Sequence, residues 1–115
     1  MQFEEYKKGS EFDWLVVARN KAKETVPLDG YTIKSQIRKW ERGCATAKIA
    51  DLTCEQLEEE GQCHAFVEEV LATMDWPVCK AVVDIVLIPP SGARITHRGF
   101  KYIDIIEGAT QEDPR

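Results

Sequence analysis

Cys63 and His64 stand side by side, and a thiol beside an imidazole is the pairing from which a nucleophile and its base are built. His97 is the other side chain whose ordinary titration falls near neutrality. Sequence neighbours cannot serve each other in this way. On a strand adjacent side chains leave opposite faces, and on a helix residues i and i+1 do not meet. The pair therefore reads as one buried thiol beside one exposed imidazole. The other cysteines, Cys44, Cys54 and Cys79, make no Cys-x-x-Cys chelate with each other or with Cys63, so zinc lacks its usual local ligand pair. Glu58-Glu59-Glu60 is rich in carboxylates but lacks the Asp/Asn/Gly loop that wraps calcium, and it reads as a solvated run. No phosphate-cradling glycine loop, Gly-x-Ser-x-Gly elbow or His-Glu-x-x-His pair occurs. The expectation is a protein that is not an enzyme, with no cofactor, no metal and four reduced thiols.

What remains is chemistry of contact. Three tryptophans are available for it. Trp14 alternates with Phe12 and Val16 and belongs to a core. Trp76-Pro77 suits the plug at the end of a sandwich. Trp40 falls with a polar set beside a turn and is the ring expected at the surface, where it would anchor a partner. Charge adds a second candidate. The chain carries a net −5, yet between Ile49 and Cys79 there are eight acids and no Lys or Arg. The rest of the chain has a small excess of bases, and these are scattered. A nucleic-acid partner wants a contiguous basic face, so that role is not expected. The candidate protein contacts are Glu58, Glu59, Glu60 and Trp40.

The elements that must position these residues are strands. Phe3–Lys7 is a plausible first one. From Ser10 to Ala18, residues Phe12, Trp14, Val16 and Ala18 share one side. Pro27-Leu-Asp-Gly30 is a turn, and Tyr31 to Trp40 alternates again, with Tyr31, Ile33, Ser35 and Ile37 on one face. Glu41-Arg-Gly43 fits a hairpin connection into Cys44–Leu52, with Ala45, Ala47 and Ile49 expected inward. Cys79–Ile88 is dense in β-branched residues, as for a central strand covered on both faces. Ala93–Thr96 and Phe100–Ile106 read as two closing strands around Gly99. The middle is open. Thr53-x-x-Gln56 fits a capping box and Gly61 a helix C′ position, so Cys54–Glu60 fits one or two helical turns. Gln62–Met74 fits either a strand with Ala65 and Val67 inward, or a helix with Phe66, Val70 and Met74 on one face. The expected fold is all-β and mainly antiparallel: an immunoglobulin-like β-sandwich of about seven or eight strands. Phe12, Trp14, Val16, Ile33, Ile37, Ile49, Val83 and Ile85 should be buried. A single domain is expected over residues 1–108, with a flexible tail over 109–115.

Four stretches in order carry a resemblance. They are Tyr6-Lys-Lys-Gly-Ser-Glu-Phe-Asp-Trp, Val26-Pro-Leu-Asp-Gly-Tyr-Thr-Ile-Lys-Ser-Gln-Ile-Arg, Trp76-Pro with Val83-Asp-Ile, and Pro90-Ser-Gly followed by a Thr and a final strand. Together they resemble small structural proteins of tailed bacteriophages, including baseplate- and tail-fibre-associated immunoglobulin-like domains. The chain departs from that pattern between Cys54 and Met74, which is acidic, and at Glu107-Gly-Ala-Thr-Gln. The resemblance implies a non-catalytic virion or prophage structural protein of the tail, fibre or neck. It would be made in the bacterial cytoplasm and would contact virion proteins or further copies of itself. An apolar run long enough to span a bilayer is lacking, so no membrane partner is expected. The alternative is a module that binds host-surface carbohydrate or a partner protein.

Overall fold

A computed structural model describes residues 2–91 and 97–107, the side chains of 97 and 98 excepted. Seven strands form among the described residues: β1 (Glu4–Lys7), β2 (Asp13–Val17), β3 (Thr32–Glu41), β4 (Cys44–Gln56), β5 (Gln62–Phe66), β6 (Lys80–Ile88) and β7 (His97–Ile106). One short 3-10 helix, Val70–Asp75, sits between β5 and β6. The chain is all-β, as its alternation predicts. The strands join into a single mixed sheet in the order β1-β7-β6-β3-β4-β5-β2. Every pairing is antiparallel except β1 with β7, which runs parallel from Glu4↔Ile103 to Lys7↔Ile106.

The sheet curls because β4 serves two sets of partners. Its first part pairs with β3, ending at Ser35↔Leu52, and its last residues pair with β5, from Thr53↔Phe66 to Gln56↔Cys63. The β5–β2 layer is thereby folded over the β7–β6 layer. Trp14 of β2 lies across Gly99 of β7, where an added Cβ would meet the indole at 3.8 Å and Ile85 at 3.4 Å. Gly99 is therefore the floor under a tryptophan, and β7 runs through it as one strand. The second closing strand expected at Ala93–Thr96 lies outside the described residues.

Between the layers Ile37, Val83, Ile85, Leu87, Ile103 and Ile105 are all 1% exposed or less. Each such aliphatic contributes about 1.5–3 kcal/mol by leaving water. Phe12, Ile37, Val83 and Ile85 are buried as expected, while Trp14, Val16, Ile33 and Ile49 pack against this core partly exposed. β6 is the central strand the β-branched run predicts, paired on both sides by β3 and β7. Ser35, the buried polar residue of β3, donates its hydroxyl to the Asp84 carbonyl at 2.6 Å.

Two expectations need correction. Ala45 and Ala47 are exposed. Register shifts between Ile37 and Arg38 and between Arg38 and Trp40 break the simple count of two along the β3–β4 ladder, so Ile49 packs against the core as expected but is followed inward by Ala50, Leu52 and Cys54. The helical turns over Cys54–Glu60 do not form. Cys54, Glu55 and Gln56 are strand, because pairing with β5 satisfies their backbone where a capping box would satisfy only one turn. In the segment left open, Gln62–Phe66 is strand and Val70–Asp75 is 3-10 helix.

The 3-10 helix seals one end. Thr73, fully buried, accepts a bond from the Gly9 N–H at 2.7 Å and donates to the Val70 carbonyl at 2.8 Å. Gly9 has φ +85 in the β1–β2 turn. Tyr6 meets Phe12 edge-on at 5.7 Å and Trp76 at a tilt at 5.6 Å, and donates its hydroxyl to the Ser10 carbonyl at 2.6 Å. Burial raises the Tyr6 phenol above its ordinary pKa, against the lowering effect of Thr73. Trp76 is thus the plug its position suggested.

Candidate functional site

β5 carries Cys63 and His64 and sets them back to back. Cys63 is fully buried between the layers. His64 lies on the outer face, 4.5 Å from the Phe66 ring and stacked on it. There its Nδ1 sits 2.8 Å from Asp13 Oδ1 on β2 and its Nε2 3.7 Å from Glu55 Oε1 on β4. The imidazole thus bridges three strands through two carboxylates, and the thiol on the opposite face cannot reach it. No group of three or more His, Cys, Asp or Glu side chains among the described residues is arranged to hold a metal ion.

The thiols differ sharply in environment. Cys44 is exposed at the β3–β4 turn, Cys54 and Cys79 are partly covered, and Cys63 is enclosed. Cys54 opposes Ala65 and Cys63 opposes Gln56, which puts both thiols on the inner face of neighbouring strands. Burial, and secondarily the neighbouring Cys63, pushes Cys54 up to about 11, and burial raises Cys63 as well. Thiolate is the reactive form, so an alkylating reagent at neutral pH should consume Cys44 first and Cys63 only on unfolding. Peptide mapping after timed labelling checks this, and rapid labelling of Cys63 in the folded protein would contradict it. The same shift has a pH consequence. Folding keeps Cys54 protonated up to about pH 11, whereas an unfolded thiol ionises near its ordinary value of 9.0, so stability falls as pH rises through that window.

The sequence candidates separate into two places. Glu58, Glu59 and Glu60 form the exposed turn from β4 to β5. Glu60 Oε2 accepts a bond from Thr25 at 3.2 Å, and Gln56 donates to the Leu28 carbonyl at 2.6 Å, which ties the turn to the 27–29 loop. With Asp29 these residues line a shallow cleft of about 230 Å³. Trp40 lies at the other end of β4, opposite Ala45, roughly 35 Å along the strand at ~3.3 Å per residue. The two cannot form one site. Nor is Trp40 the bare ring expected. It is partly covered, with Tyr102 edge-on at 5.2 Å, and Tyr102 in turn meets Phe3 at 5.5 Å. Lys80 Nζ sits 4.9 Å from the centre of the Phe3 ring, and Phe100 is the exposed aromatic of this face.

The acidic segment does collect on one side of the fold. β2, β5 and the last residues of β4 carry Asp13 and Glu55 and neither Lys nor Arg. Glu58–Glu60 cap one end of that layer, and Glu11, Glu68 and Glu69, all exposed, cap the other. Leu15 is 54% exposed in the midst of them. The alternation over Ser10–Ala18 already sets Leu15 on the side away from the core, with Glu11 and Asp13, but nothing in the sequence singles it out as a contact. The Asp13–His64 pair, 51 residues apart in sequence, leaves no local signal either. No protein-family model matches the chain, and no curated protein matches it. No helix among the described residues is long and apolar enough to cross a membrane.

Proposed function

We propose that this protein acts by contact, as a non-catalytic structural or assembly protein of a bacteriophage or prophage virion, associated with tail, fibre or neck. The observation that carries the reading is the segregation of charge in space: one layer of the curled sheet carries Asp13 and Glu55 about His64 and neither Lys nor Arg, is capped by further acids at both ends, and has exposed Leu15 among them. Such a surface steers a basic partner toward one face and disfavours approach by another acidic one. The four stretches that resemble tailed-phage structural proteins supply the setting. The partners would be virion proteins or further copies of the chain, meeting it within a rigid β core.

The test is association with particles. Reversing Glu58, Glu59 and Glu60 to Lys should lower the protein's recovery with purified virions, and raised salt should mimic the change, since exposed charges are screened beyond roughly 8–10 Å at physiological salt. Unchanged recovery would remove the acidic turn from the contact. A second reading, a module for host-surface carbohydrate, draws on the Phe3–Tyr102–Trp40 aromatic group on the outer face. Loss of cell-surface binding in Trp40→Ala, with particle recovery intact, would favour that reading.

A further inference from the structure

The two edges of the curled sheet are not alike. β1, at one edge, has three charged residues in its four, a common guard against unwanted strand pairing. β2, at the other, reads Asp-Trp-Leu-Val-Val, with neither Lys nor Pro, and Leu15 is 54% exposed on its outer face. Its free backbone can be assigned. Val67 N donates to the Phe12 carbonyl and Ala18 N to the Gly61 carbonyl, which fixes the alternation of the β2–β5 ladder. Phe12, Trp14, Val16 and Ala18 turn their N–H and C=O toward β5. Asp13, Leu15 and Val17 turn theirs away, and among the described strands β2 pairs with β5 alone.

From these observations we infer that β2 is an acceptor edge, to which an extended, lysine- or arginine-bearing segment of a partner protein adds as an eighth strand. The inference rests on the contact reading above and names the partner's chemistry. Main-chain bonds to Asp13, Leu15 and Val17 supply affinity, and alternate side chains supply selectivity. On the outer face the incoming strand lies beside Asp13 and Leu15, so it should carry basic residues there, whose charge meets Asp13 and whose aliphatic stems cover Leu15, and apolar residues on the inner face. On the inner face it meets a mainly apolar gap of about 280 Å³ formed by Val16, Val17, Ala18, Ile85, Leu87 and Gly99, with Arg19 at its margin, so the basic residues of the partner belong at the Asp13 end. The charge around the edge chooses among occupants. Glu11, Asp13 and Glu68 line one cleft at the start of β2 with Phe66 and Val70. The Glu11–Arg19 segment of a second copy would bring two more acids with one cation, Arg19, a poorer match to these acids than a lysine- or arginine-bearing strand.

The probe is a short peptide alternating lysine and valine, with a glutamate–valine peptide as its control, titrated into the whole protein and followed by amide NMR. The lysine peptide should shift and slow the exchange of the amides of Asp13, Leu15 and Val17, and the glutamate peptide should not. Leu15→Lys places a charge on a side chain already in water, leaves the fold intact and should weaken the peptide about tenfold or more. Reversal of Glu58, Glu59 and Glu60 should weaken the peptide less than Leu15→Lys and leave the Asp13, Leu15 and Val17 shifts in place, since those charges border only the Val17 end of β2. Shifts centred elsewhere, equal binding of the two peptides, or full affinity in Leu15→Lys would each overturn the inference. So would concentration-dependent self-association that Leu15→Lys abolishes, which would make a second copy the occupant. If the peptide binds as expected while the protein fails to associate with virions, the virion setting is wrong and the edge stands.

Discussion

Gly61→Ala should lower the unfolding free energy by about 2–4 kcal/mol, although it adds a single methyl group. Gly61 has φ +78, a left-handed conformation that costs an L-residue about 1–2 kcal/mol. Space adds to that cost. A Cβ there would lie 3.0 Å from the Thr25 Cβ and 3.2 Å from the carbonyl oxygens of both Ala18 and Val26. Those oxygens cannot easily retreat, because Val26 N donates to the Ala18 carbonyl at 3.0 Å and Ala18 N to the Gly61 carbonyl at 2.8 Å. Gly43→Ala is the matched control. Its φ is +79 but nothing lies within 4 Å of the added atom, so only the conformational cost of about 1–2 kcal/mol should appear. Urea unfolding with equal m-values measures both. Equal losses would show that the crossing of Ala18 and Val26 beneath Gly61 yields freely. Because Gly61 follows Glu58–Glu60, the same variant should also displace the acidic turn.

Ile37→Ala should cost about 2–5 kcal/mol, a large fraction of the ~5–15 kcal/mol by which a domain of this size is stable. Ile37 is fully buried in the middle of β3, opposite Val83 on β6 and Ala50 on β4. Both neighbouring strands are fixed by their ladders, so the cavity left by three lost carbons cannot readily collapse. Phe100→Ala removes a larger side chain but one that is 53% exposed, and it should change stability by no more than about 1 kcal/mol. Thermal or denaturant unfolding of the two variants side by side gives the comparison. A similar loss in both would mean that the outer aromatic group contributes as much to the fold as the core enclosed by the curled sheet.

The sequence pattern reveals the strands whose period is uninterrupted. β3 and β6 follow from alternation and β-branched density, and Phe12, Ile37, Val83 and Ile85 lie where that alternation puts them. Pattern failed where a non-local fact decides. The bulges beside Arg38 exchange the faces of β4, and no residue of β4 announces them. Thr53-x-x-Gln56 satisfies the local rule for a helix start, yet four residues of β5 offer a continuous ladder instead, so tertiary pairing overrides the local motif. The parallel partnership of β1 with β7 joins the beginning of the described chain to its end, beyond any window of periodicity. The site follows the same division. The opposite facing of Cys63 and His64 comes from strand geometry alone. The distance between Trp40 and Glu58–Glu60, and the free edge of β2, required knowing that β4 carries both layers.

The parallel seam between β1 and β7 also determines how the molecule bears load. Glu4–Lys7 and Ile103–Ile106 lie side by side and point the same way, with Lys8 N adding a further bond to the Ile106 carbonyl. A tension that draws the leading and trailing segments in opposite directions runs along this seam rather than across it. Its hydrogen bonds are then sheared together, whereas an antiparallel pair pulled from adjacent ends would open one bond at a time. Rupture must also draw Tyr6 out from between Phe12 and Trp76, so the first give under traction is resisted by packing as well as by the ladder.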